Sequence, residues 1–129
     1  MKPRVLIVND DEAITQQLFW TLCEEYDVVT ANDLQTAVRR ATLYVPDVAL
    51  LDLQLEHTTE SPEIALRIIE YIKAHVPEAK VLVMTSGTNP GVMDACATRG
   101  ADGVLDKPFD TEVLLATMRR IAPSSLEVV

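Results

Sequence analysis

The chain has 129 residues, 14.3 kDa, with 48% apolar and 24% charged residues. Area scaling gives about 6,800 Å² exposed when folded against about 20,700 Å² extended, enough burial for one domain with a true core, and it excludes intrinsic disorder. Twenty acidic against eleven basic residues leave a formal net charge of −9, a field that repels phosphate backbones and argues against direct nucleic-acid binding.

Lys2 and Arg4 precede an apolar run over only 5–8, too short for an export signal, and no run approaches the roughly 18 residues of a membrane span. That run, Val5-Leu6-Ile7-Val8, is closed by polar residues and predicts a strand buried on both faces. Residues 12–24 carry Ile14, Leu18, Phe19, Leu22 and Cys23 at helical spacing. A second strand is predicted over 28–31. A helix then follows over 33–44, with Asn32 or Asp33 as cap and Leu34, Ala37, Val38 and Ala41 inward. Pro46 separates it from the apolar run 48–51. After the polar stretch 54–60, Ser61-Pro62-Glu63 is a helix-start signal, and the helix must end before Pro77. A fourth strand is expected over 81–84 and a helix over 90–99, stopped by Gly100. A fifth strand is expected over 103–105, and a last helix capped by Asp110 runs to about Ile121. Residues 1–122 are expected to form the domain and 123–129 a short tail. Cys23 and Cys96 make no Cys-x-x-Cys pair, so two reduced thiols of a cytoplasmic protein are expected.

Strict strand–helix alternation implies an α/β domain: a parallel five-stranded sheet, doubly wound, with helices on both faces. In such sheets chemistry gathers beyond the carboxyl ends of the strands. The residues there are Asn9, Asp10 and Asp11 after the first strand, Asp52 after the third, Thr85 and Ser86 after the fourth, and Asp106-Lys107-Pro108 after the fifth. Two like charges about 5 Å apart at an effective dielectric near 20 repel by about 3 kcal/mol, so three carboxylates on one rim call for a cation. An oxygen-only set suits magnesium or manganese. Each residue also has a plainer role. Asp10 or Asp11 can cap the following helix, Thr85 can be a simple β-former, and Lys107 a surface residue. Asp52 is hardest to dismiss, because an unpaired carboxylate ending a buried strand costs several kcal/mol.

Taken in order, residues 5–12, Leu50-Leu51-Asp52-Leu53, Val83-Met84-Thr85-Ser86 and the stretch from Gly100-Ala101-Asp102 to Lys107-Pro108-Phe109 resemble the receiver domain of two-component response regulators. The match spans residues 4–121. The resemblance implies a flavodoxin-like (βα)5 fold with strand order 2-1-3-4-5. It implies that Asp52 accepts a phosphoryl group from a sensor histidine kinase or phosphotransfer protein in a magnesium-dependent reaction, with manganese as a substitute. Asp10, Asp52 and the backbone carbonyl of Gln54 would bind the metal, with Asp11 and Asn9 as further candidates acting through water. Thr85 and Lys107 would contact the phosphoryl group. Such a chain is a phosphoacceptor switch and not a turnover enzyme. The face of the fourth helix, fifth strand and fifth helix would serve a homodimer or an output partner.

Three departures from that pattern stand out. In ungapped register the acidic pair falls on Asn9 and Asp10; a one-residue shift would make it Asp10 and Asp11. Val104 stands where an aromatic is usual. The segment 54–62, with His57, is longer and lacks the usual proline and glycine. These departures support an alternative, a degenerate receiver serving as a constitutive protein-interaction module. A phosphohydrolase with an aspartyl nucleophile is disfavoured, since Gln54 occupies the position of its second acid.

Overall fold

Short apolar runs, each closed by polar residues, pair side by side as one parallel sheet in the computed structural model, which describes residues 2–53, 63–85, 90–107 and 110–121. The strands are β1 (Arg4–Val8), β2 (Asp27–Ala31), β3 (Val48–Asp52), β4 (Lys80–Thr85) and β5 (Gly103–Asp106). The helices are α1 (Glu12–Leu22), α2 (Leu34–Tyr44), α3 (Glu63–His75), α4 (Pro90–Arg99) and α5 (Thr111–Ile121). The order β2-β1-β3-β4-β5 is the doubly wound arrangement expected, with the winding direction reversing between β1 and β3. No helix among the described residues is long and apolar enough to cross a membrane.

Side-chain alternation sorts the core into two layers. Val5, Ile7, Leu50, Leu82, Met84 and Leu105 pack on Leu18 and Leu22 of α1 and Leu114 and Met118 of α5. Leu6, Val8, Ala49, Leu51, Val81 and Val83 face α2, α3 and Cys96 of α4. Both cysteines are free thiols, and burial pushes the Cys96 thiol up.

Helix starts follow the polar residues that precede them. Asp33 Oδ1 accepts from Thr36 N at 2.7 Å and Asp110 Oδ1 from Val113 N at 2.8 Å, which resolves the choice at α2 in favour of Asp33. The α3 start signal at Ser61 and Pro62 lies outside the described residues. At its other end α2 stops on Val45 in left-handed backbone, φ 47°. The strands run slightly beyond their apolar runs because the ladder continues into the polar residues: Asp52 sits beside Met84, and Thr85 beside Asp106.

Candidate functional site

Pleat parity decides which side chains meet past the sheet's carboxyl edge. Asp52 pairs with Met84 and Met84 with Leu105, so Asp52 continues the row that faces α1 and α5. Val8 pairs with Leu51, so Asn9 and Asp52 are the next residues along β1 and β3 past that pair. Lys107, two positions past Leu105, returns to the same side. Its main chain is fixed there by Lys107 N donating to Thr85 O at 2.6 Å. The consequence is direct: Lys107 Nζ lies 3.0 Å from Asp52 Oδ2, with the Asp52 side chain only 6% exposed. A carboxylate so buried requires a partner, and the fifth strand delivers one. Thr85 falls on the opposite parity, buried at the end of β4.

The β1–α1 turn is an interlocked set of side-chain-to-backbone bonds. Asn9, 1% exposed, accepts from Asp11 N at 2.8 Å through its Oδ1. Asp11 Oδ1 in turn accepts from Ala13 N at 3.0 Å and Ile14 N at 3.2 Å. Thr15 Oγ1 closes the turn by donating to Asp11 O at 2.9 Å. Asp11 is therefore the N-cap of α1, and Asn9 is the residue that directly follows β1. Half-buried Asp10 stands between them. Among the described residues, the buried Asn9 Nδ2 finds no hydrogen-bond partner.

This geometry corrects one expectation. Among the described residues no three His, Cys, Asp or Glu side chains gather as ligands for a metal ion. Asp11 turns its oxygen to the start of α1, which leaves Asp10 and Asp52 as the acidic candidates. Two carboxylates still fit magnesium, which takes one or two and keeps several waters. The Gln54 carbonyl, Ser86, Pro108, Phe109 and His57 lie outside the described residues. A polar cavity of about 410 Å³ opens against Asn9 and Asp10, lined also by Glu12, Thr30, Thr36 and Arg40. A second, about 300 Å³ and mostly apolar, runs between α1 and α5 to Lys107. Both leave room beside the rim.

What positions β5 was not read from the sequence. Asp102 Oδ2 accepts from Val81 N at 2.8 Å and from Lys73 Nζ at 2.7 Å, and Lys73 Nζ also donates to Ala79 O at 2.8 Å. Gly100 has φ +118°, and a Cβ there would stand 2.6 Å from Lys73 Cγ. Gly100-Ala101-Asp102 is thus the latch that holds the start of β5 to β4 and α3, and so carries Lys107 to Asp52. Its partners lie far apart in the chain, so no local pattern betrays them. Val104 on β5 is 42% exposed.

The family model for the response regulator receiver domain matches residues 5–119. The transcriptional regulatory protein KdpE of Staphylococcus aureus is 31% identical over 131 residues, covering 98% of this chain and 54% of its own. The chain spans about half the length of the curated relatives it matches. Among solved structures, the chemotaxis protein CheY4 of Vibrio cholerae superposes with a TM-score of 0.82 at 27% identity, covering 94% of this chain and 99% of that one. The beryllofluoride-activated NtrC4 receiver domain dimer superposes at 0.79 with 30% identity, covering 92% and 94%.

Proposed function

The chain belongs to the response regulator receiver domain family, and from that membership we propose that Asp52 accepts a phosphoryl group from a phosphohistidine on a sensor histidine kinase or phosphotransfer protein. The observation that carries this reading is the buried Asp52 at the end of β3, held 3.0 Å from Lys107 Nζ. An oxygen of Asp52 attacks phosphorus, the P–N bond breaks, and the imidazole leaves with the electron pair and takes up a proton. Asp10 and Asp52, with the Gln54 carbonyl, would hold magnesium or manganese, which neutralises charge between donor phosphate and attacking carboxylate. Lys107 passes from the carboxylate to the phosphoryl oxygens, and the Thr85 hydroxyl donates to another. The group stays on the chain, so the domain is a switch and not a turnover enzyme, and the added charge of about −1.5 to −2 biases the neighbouring loops.

Incubation with acetyl phosphate and magnesium tests this. Wild type incorporates acid-labile phosphate, while Asp52→Asn, folded by circular dichroism, incorporates none and chelation of the metal abolishes labelling. Labelling of wild type no better than the variant ends the reading.

A second reading, a receiver that no longer switches and serves as a constitutive interaction module, is favoured by Asn9 and by Val104. An unchanged spectrum of the wild-type chain with beryllofluoride and magnesium would select it. In either case we propose the α4–β5–α5 face, with Val104 and Val113 42% and 47% exposed, as the contact for a second copy or an output partner. The NtrC4 receiver dimer supports a role of that kind.

A further inference from the structure

Asn9 is buried, one residue past the Val8–Leu51 pair as Asp52 is on β3, yet one end of its carboxamide is already committed. Oδ1 accepts the Asp11 N–H at 2.8 Å, and turning the amide over would set two donors against each other at that distance. The ring of bonds through Asp11, Ala13, Ile14 and Thr15 holds that N–H in place. Nδ2 is therefore locked as a donor at the rim, with no partner among the described residues. A carboxylate at the same position would accept the same N–H with one oxygen and turn a second, charged acceptor to the rim. The difference matters because waters on a hard dication point their hydrogens outward, so a residue that holds them must accept.

We propose that Asn9 sets the cation affinity of the pocket: its locked carboxamide removes one negative charge beside Asp52 and leaves a fixed donor there. The site holds its divalent ion loosely and offers Nδ2 to an anionic oxygen, either of Asp52 itself or of the group placed on it. This rests on the metal-binding part of the reading above.

Magnesium titration of the whole chain, followed by backbone-amide NMR shifts, provides the test. Asn9→Asp keeps the acceptor for Asp11 N–H, so the turn stays intact, and it is expected to bind magnesium about 10–100-fold tighter than wild type. Asn9→Ser, neutral and still able to accept, is expected to stay near wild type. In thermal melts with chelator Asn9→Asp unfolds below wild type, and saturating magnesium closes the gap. Equal or weaker binding by Asn9→Asp, or an equal gain in Asn9→Ser, overturns the proposal. Tighter binding by Asn9→Asp without any phosphate on wild-type Asp52 supports it while sinking the phosphoacceptor reading. Magnesium binding by neither chain sinks both.

Discussion

Val45 closes α2 at φ 47° and ψ 73°, a left-handed backbone that costs an L-residue about 1–2 kcal/mol, and more readily adopted by Asn than by a β-branched side chain. Its N–H donates to Ala41 O at 3.1 Å, so the helix end is satisfied, but the side chain is 53% exposed and gains little packing in return. Val45→Asn is expected to raise stability by about 1 kcal/mol, or roughly 3–5 °C in melting temperature by scanning calorimetry. Nothing about a valine announces this conformation. Only the following Pro46, which disfavours right-handed helix in its predecessor, hints that the chain must leave α2 there. Asp52 and Lys107 were legible for the opposite reason. A charge directly ending a buried apolar run has to be answered by another, and few candidates exist. Asn9 was legible as a residue type out of place, but the direction of its amide depends on one bond to Asp11 that spacing alone does not reveal.

At the level of elements, the helix caps were the readable part, since a short polar side chain before an amphipathic run has few other uses. The bonds from the Thr36 backbone N–H and hydroxyl hold the Asp33 carboxyl below its ordinary value. A folded value lower than the unfolded one stabilises the native state above the usual carboxylate range, and this is lost as pH falls through the folded value. Asp33→Ala is therefore expected to cost about 1 kcal/mol near neutral pH, with the gap to wild type closing in acid, as urea titrations at both pH values would measure. At the start of α1, Asp10 and Asp11 were equal candidates for the cap; the bonds to Ala13 and Ile14 chose Asp11 and thereby thinned the acidic rim. The start of β5 at Gly103 was read correctly, but what holds it there was not. Lys73, Val81 and Asp102 come from three separate elements, and only the closed fold brings them together.

For the molecule as a whole, alternation of apolar runs and helical patterns was enough to read a layered α/β fold, because parallel strands buried on both faces need helices to cover them. A net charge of −9 on 129 residues works against compaction. Raising sodium chloride from about 0.01 to 0.15 M shortens the screening length from roughly 30 to 8 Å and is expected to raise the melting temperature by a few degrees, read by calorimetry without divalent ions. The two core layers touch one another only across the sheet, and parity gives each a different fingertip at its upper rim: Asp52 and Lys107 above the α1–α5 side, Thr85 above the side of α3 and α4. On the proposed reading, a group held between those side chains would meet both layers of the core, one from each side of the sheet.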